Sequence, residues 1–338
     1  LRCPPRGPGL AWGGPARRPS LAMKLKHTQA VFLMVAVTLM WSTAGVVSRH
    51  LEAARSFEVT FWRSFFTVLS LLVILPLWRG KDALKNIPWH SRAFWLSGVC
   101  WAVMFTAFMV ALTLTSVANV LVTMSVGPLF TALFSRLFLH HRLPIRTWVA
   151  IAVAGFGIAY MQYSNVSVGE GAWLGFFVSL CVPIAGAVQW TMMQHSQASH
   201  AAAADGKAKS ERVDMVPCVL VGGAISCLVT LPLAFPFQAS GHDLVLLGLL
   251  GVFQLAVPCV LSVMCAMVLK APEASLLQLL EVIFGILLAW LGAGEAPGAK
   301  VLMGGSLVIG ALVANEVLSW RQRNGEFTQN PPSNPHPV

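Results

Sequence analysis

The fold is decided by an apolar stretch near the end of the chain, Leu276–Glu295, which reads LLQLLEVIFGILLAWLGAGE. A run of about 20 apolar residues, each rising about 1.5 Å, matches a hydrocarbon core of about 30 Å, so the stretch predicts a membrane-spanning helix. It carries a carboxylate, Glu281, near its beginning. Ser275 and Gln278 precede Glu281 at intervals of three residues, which places all three on or near one helical face.

Glu281 has two interpretations. A charge inside a membrane costs at least about 2.5 kcal/mol on insertion scales, so it usually faces a bundle interior or a watery cavity. In one interpretation Glu281 is a polar residue buried against a neighbouring helix. In the other it lines a translocation path, which is the role that an intramembrane ionisable group favours by default.

The composition of the whole chain is typical of a polytopic membrane protein. Of its 338 residues, 56% are hydrophobic and 11% are charged, whereas soluble domains carry about 25% charged residues. The seven cysteines include no CxxC pair, and most lie inside apolar runs. They indicate small core hydrophobes, so neither a disulfide framework nor a metal site is expected.

Ten apolar segments follow one another along the chain, mostly with short connections, and they predict an all-α integral membrane fold with ten transmembrane helices. Little sequence remains for a soluble domain. The segments are approximately Gln29–Ser48, Val59–Trp78, Ala93–Leu114, Val117–Leu139, Thr147–Ser164, Ala172–Gln194, Met215–Phe237, Leu244–Leu269, Ala274–Ala293 and Lys300–Trp320.

The two ends of the chain read as tails. Residues 1–28 are basic and contain no apolar core of a signal peptide. Met23, followed by Lys24 and Lys26, predicts the natural start, so residues 1–22 are interpreted as leader or non-native sequence, and otherwise as a disordered tail. Residues 321–338 are predicted to be a disordered cytoplasmic tail, since their end is rich in Pro and Asn.

The distribution of basic residues predicts the topology. With the N-terminus in the cytoplasm, most of the 23 Lys and Arg residues fall on the inner side. The outer side keeps only Arg49, Arg55 and Lys300, and Arg63 lies within the second span. Both termini are therefore predicted to be cytoplasmic, in a multi-pass protein of the cell inner membrane. The net charge of +10 then reflects topology rather than binding to nucleic acid.

Ten spans predict two halves of five, residues 29–164 and residues 171–320. An odd number of spans in each half makes the second enter the membrane upside down, which is the inverted-repeat architecture of many transporters. Sliding the sequence by 154 residues lays Val126–His141 on Leu280–Glu295 and matches three apolar positions.

Several short motifs recur along the apolar segments: LMWS at Leu39–Ser42, TFWRS at Thr60–Ser64, Gly127-Pro128 with Trp148, Leu280-Glu281, LLAW at Leu287–Trp290 and Gly294-Glu295. These motifs resemble those of the EamA-type ten-span permeases in the drug/metabolite transporter superfamily. The sequence departs from the family pattern at two places: Val282 occupies the place of a family proline after Glu281, and His140-His141 replace a Gly-Glu ending.

The resemblance implies a permease that exports small organic metabolites or drugs, such as amino acids, nucleobases or amphiphilic compounds, by alternating access. An importer of the same solutes stays open, as do an intramembrane enzyme and a non-transporting scaffold or sensor. The sequence contains neither a catalytic motif nor a Walker loop, so we expect no enzyme activity and no cofactor. Protons are one coupling ion that it allows, and the oligomeric state is not predicted.

The candidate substrate-binding residues are polar and aromatic side chains at membrane depth, although a single Ser or Thr usually bonds to its own helix. Arg63 is expected to reach the interface or to pair with Glu58, and attraction of an anionic or zwitterionic substrate is the alternative. The candidates are Trp41, Ser42, Trp101, Phe105, Thr123, Trp190, Gln254, Ser262, Gln278 and Glu281.

Overall fold

The computed structural model describes residues 26–54, 56–80, 84, 87–139, 144–163, 170–204, 216–266, 268–269 and 271–329. These residues are helical, with no strand among them. The expected leader at residues 1–22 and the pair His140-His141 lie outside the described residues.

Twelve α-helices and one π-helical segment make up this part of the chain, and the all-helical membrane fold is confirmed. Seven helical stretches are long and apolar enough to cross a membrane, and three shorter apolar helices accompany them. The count of ten spans stays a prediction. The helices are α1 His27–Ser48, α2 Ser56–Arg79, α3 Arg92–Leu114, α4 Val117–Met124, α5 Gly127–Leu139, α6 Ile145–Tyr163, α7 Glu170–Ala204, α8 Pro217–Ala234, α9 Gly241–Leu249, α10 Val257–Ala266, α11 Ala271–Ala293 and α12 Ala299–Gln329, and the π-helical segment Leu250–Ala256 joins α9 to α10.

Two of the predicted spans are interrupted. The fourth consists of α4 and α5, which meet just before Gly127-Pro128. Proline has no N–H to donate and its ring clashes with the preceding turn, so a break at this point is expected. The eighth span contains the π-helical segment, which ends two residues before Pro258.

Two helices continue past their predicted ends. α7 runs to Ala204 and α12 runs to Gln329, into the segment for which the composition predicts a disordered tail. Alanine, arginine and glutamine are strong helix formers, which favours continuation of a helix that is already established. By contrast, α11 is one uninterrupted helix through Val282, as expected where the family proline is missing.

The helices of the two halves pack in an exchanged pattern. α1 packs on α11 and α10, while α7 packs correspondingly on α4, α5 and α3. α2 packs on α9 and the π-helical segment, while α8 packs on α3. The remaining large contacts, α2 with α8 and α6 with α12, join spans that occupy the same place in each half. This exchange is what a two-fold relation between the halves would produce, and it supports the predicted inverted repeat, which itself stays a prediction.

Many large apolar side chains lie on the outside of the bundle. Phe32 is 72% exposed, Leu77 is 80% exposed and Leu291 is 74% exposed. A soluble monomer rarely exposes extended apolar surface, whereas a bilayer covers it. The core, in contrast, contains a fully buried arginine and several buried polar side chains.

Two buried carboxylates link the beginnings of α2 and α9 reciprocally. Glu58, at the start of α2, accepts hydrogen bonds from the backbone N–H groups of Gln238 and Ala239, just before α9. Asp243, at the start of α9, accepts hydrogen bonds from the backbone N–H groups of residues 52–54, just before α2. Each helix therefore holds the loop that leads into the other.

A second polar cluster joins four helix ends. Arg49 follows α1, and its Nε donates to Glu295 at 2.7 Å. The same guanidinium donates to the carbonyl oxygens of Leu112 and Thr115 at the end of α3. The other oxygen of Glu295, which follows α11, accepts from the backbone N–H of Val117 at the start of α4. We call this set of contacts the Arg49–Glu295 cluster.

Candidate functional site

Arg63 lies at the centre of the bundle, about two turns into α2. Its side chain is fully buried, with 0% exposure. Nη1 donates to Gln254 Oε1 at 3.1 Å and Nη2 donates to the carbonyl oxygen of Phe105 at 2.7 Å. The rings of Phe105 and Phe108 each have their centroid 6.0 Å from the guanidinium carbon. Polar acceptors from two other spans and two aromatic rings therefore surround the charge.

The predicted interfacial position of Arg63, and its predicted pairing with Glu58, are wrong. The Glu58 carboxylate is occupied by backbone N–H groups at the start of α2. Among the described residues, the Arg63 guanidinium has no acidic partner within 4.0 Å, and its Nε has no hydrogen-bond acceptor. Burying a charge without a counterion costs several kcal/mol in general, so this arrangement calls for an explanation.

Close packing of α2 on the π-helical segment places Gln254 opposite Arg63. Thr67 Oγ1 donates both to the carbonyl oxygen of Arg63 and to that of Gly251. A Cβ on Gly251 would lie only 2.8 Å from the Arg63 carbonyl oxygen, so the approach requires glycine. The wider turn of a π-bulge changes the direction in which the following side chains point, and such bulges are frequent at functional sites.

Trp41 and Cys259 extend the site from Arg63 towards Glu281. Gln254 Nε2 donates to the carbonyl oxygen of Trp41 at 3.4 Å. The Cys259 thiol lies near the Trp41 indole and within electrostatic reach of both Arg63 and Glu281. Arg63 of α2 and Glu281 of α11 are therefore in the same neighbourhood of the bundle.

Glu281 lies on an inner face of α11. Its backbone carbonyl oxygen accepts a hydrogen bond from Ser42 Oγ at 3.1 Å, which fixes α11 against α1. Its side chain is half-buried, and its carboxylate has no hydrogen-bond donor or ion-pair partner among the described residues. Two other carboxylates inside the bundle, Glu58 and Asp243, accept hydrogen bonds from backbone N–H groups instead.

The helical positions of α11 place Glu281 opposite two exposed side chains. At ~100° per residue, Ile283 and Trp290 lie roughly 160° and 180° from Glu281. These two side chains are 48% and 53% exposed. Gln278 and Leu288 lie on the Glu281 side, and both are half-buried. Glu281 therefore lies on the more buried side of α11.

Two buried side chains, from α3 and α7, have polar groups without partners among the described residues. Trp101 is 7% exposed, and its indole Nε1 has no acceptor among the described residues. Gln189 of α7 is 2% exposed, and neither its Nε2 nor its Oε1 has a partner there. Buried polar groups without partners are rare in native proteins, and each normally indicates a bound molecule, a water or a functional role.

The structure brings together part of the predicted set. Trp41, Trp101, Phe105, Gln254 and Glu281 surround the region of Arg63, with Trp190 packed against the same apolar cluster. Gln278 lies one turn before Glu281 on the same side of α11.

Three predicted residues have local roles instead. Ser42 contacts the backbone of α11, Thr123 Oγ1 donates to the carbonyl oxygen of Asn119, and Ser262 Oγ donates to that of Cys259. Their assignment to substrate binding stays a prediction. The set omitted Arg63, although an ionisable residue within a predicted span was a signal that could have found it.

The arrangement can bind charged groups through Arg63 and Glu281 and can bind apolar groups through the aromatic rings. Among the described side chains, no three His, Cys, Asp or Glu residues form a group that could hold a metal ion.

Comparison with known proteins confirms the resemblance predicted from the sequence. Residues 28–163 match the EamA-like transporter family, and they cover the first predicted half of the chain. A protein of Vibrio cholerae serotype O1 (strain ATCC 39315 / El Tor Inaba N16961), named "Uncharacterized transporter", is 27% identical over 151 residues. That similarity covers 41% of this chain and 48% of the relative, so this chain spans about half the length of the relative it matches.

A solved crystal structure resembles the fold. It aligns with a TM-score of 0.60 over 88% of this chain and 100% of its own chain, at 18% sequence identity. At this level of identity the likeness shows the fold alone. The chain is thus a polytopic helical membrane protein whose first half matches the EamA-like transporters.

Proposed function

We propose that this protein is a permease of the cell inner membrane that exports small organic metabolites or drugs by alternating access. One observation carries the proposal: two ionisable side chains, Arg63 and Glu281, face one interior region of an apolar helical bundle, and neither has an ion-pair partner among the described residues. Charges at membrane depth are expensive, and proteins typically retain them where solutes or ions bind.

Alternating access is supported by the exchanged packing of the halves. The site is formed by α1, α2, α3, the π-helical segment, α10 and α11, which come from both halves. In inverted-repeat transporters the binding site lies between the repeats, and rocking of one bundle against the other opens it to each side in turn. Aromatic side chains beside the charges suit amino acids, nucleobases or amphiphilic compounds as solutes.

Proton coupling at Glu281 is the energy source that we propose. Its side chain is half-buried, and its carboxylate has no fixed donor among the described residues, so it is free to bind a proton or a cargo group. Binding of a proton on one side and its release on the other would couple export to the proton gradient, as carboxylates do in pumps and transporters.

A growth screen tests the proposal. Cells overexpressing the full chain are challenged with inhibitory amino-acid analogues, nucleobase analogues and amphiphilic drugs, and an empty vector provides the baseline. Export predicts increased resistance to at least one class, together with faster efflux of that labelled compound from preloaded cells. Hypersensitivity would identify an importer instead. Unchanged growth with every class, together with no flux in proteoliposomes, would contradict the transport proposal.

A further inference from the structure

We propose that Arg63 binds the carboxylate of the transported solute, which makes this permease selective for organic acids and zwitterions over matched neutral or cationic compounds. This inference rests on the proposed transport function and names the class of substrate. It concerns Arg63, the one fully buried cation among the described residues. The similarity to known proteins assigns no role to Arg63.

The guanidinium retains unused donors. Arginine has five N–H donors in a planar fork that fits a carboxylate through two parallel hydrogen bonds. The structure uses one at Nη1 and one at Nη2, and both donate only to neutral groups, the Gln254 side-chain amide and the Phe105 carbonyl group. Nε has no acceptor among the described residues. The Nε side of the fork is thus chemically incomplete, and a carboxylate is the group that completes it.

The residues that the structure describes do not supply the missing anion. Asp243 and Glu58 bind loop backbone, Glu295 pairs with Arg49, and Glu281 makes no ion pair among the described residues. Cys259, which is near both Glu281 and Arg63, is 1% exposed. A charged group without a counterion in a low-dielectric region is strongly destabilising unless a partner arrives, which gives an anionic solute a large advantage over a neutral one.

The surroundings of Arg63 indicate which kind of solute carries the carboxylate. Phe105 and Phe108 flank the guanidinium, and Trp101 packs on Phe105 with the ring centroids 5.4 Å apart. Trp101 also offers a buried indole N–H without an acceptor. A solute with a carboxylate joined to an apolar or aromatic body satisfies both the charge and the rings. In a zwitterion, the ammonium group would be directed towards Glu281.

The substitution Gln254→Glu provides the sharpest test. Gln254 Oε1 is 3.1 Å from Nη1 of Arg63, so a glutamate there would give the guanidinium a built-in counterion of nearly the same shape. The variant should be at least as stable to heat as the parent, because the buried charge gains a partner. It should nevertheless bind carboxylates roughly 10- to 100-fold more weakly, because the built-in carboxylate competes with the solute.

The experiment uses the full chain in nanodiscs and in proteoliposomes. The probes are matched sets that share a body and differ in charge: phenylacetate, phenylacetamide and phenethylamine, with butyrate, butyramide and butylamine as the aliphatic set. Calorimetric titration measures binding, and uptake of the labelled compounds measures transport. Gln254→Glu is compared with Gln29→Glu, which makes the same chemical change at an exposed position in the first turn of α1. Arg63→Lys keeps the charge but removes the planar fork.

The inference predicts that a carboxylate binds and moves at least about tenfold better than its amide and its amine. Gln254→Glu should abolish that preference, Gln29→Glu should keep it, and Arg63→Lys should keep only part of it. Transport without preference for the carboxylate, or a preference that survives Gln254→Glu, would overturn the inference and leave the proposed function intact. Absence of flux with every probe would count against the proposed function. In that case the calorimetric titration still tests Arg63: if Gln254→Glu binds the carboxylates as tightly as the parent, the proposed role of Arg63 is overturned.

Discussion

At the residue scale, Arg63 and Glu281 differ in how far the protein satisfies them. Arg63 has two hydrogen bonds to neutral groups and two aromatic rings beside it, which lower the cost of burial without removing it. Glu281 has no such partner among the described residues, and its side chain is half-buried. The carboxylate is therefore the less constrained of the two groups, since no hydrogen bond to a described residue has to break when it binds a proton.

Glu281→Gln should reduce proton-coupled transport at least about tenfold while the protein still folds and inserts, because the amide keeps the size of the side chain but cannot be protonated or ionised. Efflux from preloaded cells measures transport, and detergent-solubilised yield with a single size-exclusion peak measures folding. Glu52→Gln is the comparison, since it removes an exposed carboxylate outside the site. Export at the parental rate by Glu281→Gln would remove Glu281 from the mechanism.

The sequence predicted one of these two charged residues and not the other. Glu281 is the sixth residue of a long apolar run, so its depth can be counted along the chain. Arg63 lies near the outer end of its predicted span and has Glu58 five residues earlier, which favoured an interfacial ion pair. Its actual partners, Gln254 and the Phe105 carbonyl group, are distant in sequence. Such contacts between spans cannot be read from local spacing.

At the element scale, interrupted helices give the site its shape. The π-helical segment Leu250–Ala256 lies in the middle of an apolar span, and its residues have no composition that distinguishes them from an α-helix. Hydropathy therefore predicted the span but could not predict the bulge. The break between α4 and α5 was easier to anticipate, since Gly127-Pro128 marks it in the sequence.

Close contact between α3 and α8 depends on Gly222. A Cβ at this position would clash with the Cβ of Trp101 and lie 3.0 Å from the Gly98 carbonyl oxygen. We expect Gly222→Ala to destabilise the protein by about 1–3 kcal/mol, because neither contact is the flexible end of a side chain. Thermal unfolding in detergent should show a lower midpoint, and transport should fall because Trp101 moves.

Gly310→Ala is the matched control for that substitution. Gly310 lies inside α12, and a Cβ there would meet nothing within 4 Å. Alanine should therefore stabilise the helix by about 0.5–1 kcal/mol, since it restricts the unfolded chain more than glycine does. Equal midpoints for the two variants would contradict the tight α3–α8 contact.

At the scale of the whole molecule, the Arg49–Glu295 cluster closes one end of the bundle. It joins the ends of α1, α3 and α11 to the start of α4 through charged hydrogen bonds. Both charged side chains remain partly exposed, 31% and 23%, so solvent can reach the pair. On the predicted topology this end faces outward, and alternating access requires it to open once in each cycle.

Cross-linking that end should stop transport. We expect the double substitution Arg49→Cys and Glu295→Cys, made after replacement of the seven native cysteines, to lose flux when a short cleavable bis-maleimide joins the two thiols. Cleavage of the linker should restore the flux, and each single-cysteine variant treated in the same way should keep its activity. Undiminished transport by fully cross-linked protein would show that these helix ends do not separate.

The reciprocal carboxylates Glu58 and Asp243 bear on which helices would move together in the proposed cycle. Because each holds the loop that leads into the other helix, α2 and the eighth span are joined at this end as well as at Thr67 and Gly251. Arg63 and Gln254 belong to these two joined spans, whereas Glu281 lies on α11, which Ser42 fixes to α1. A cycle that breaks the contact between Gln254 and Trp41 and moves α11 away from α2 would change the distance between the two charges. A zwitterion would then be bound at both ends in one state and at a single end in the other.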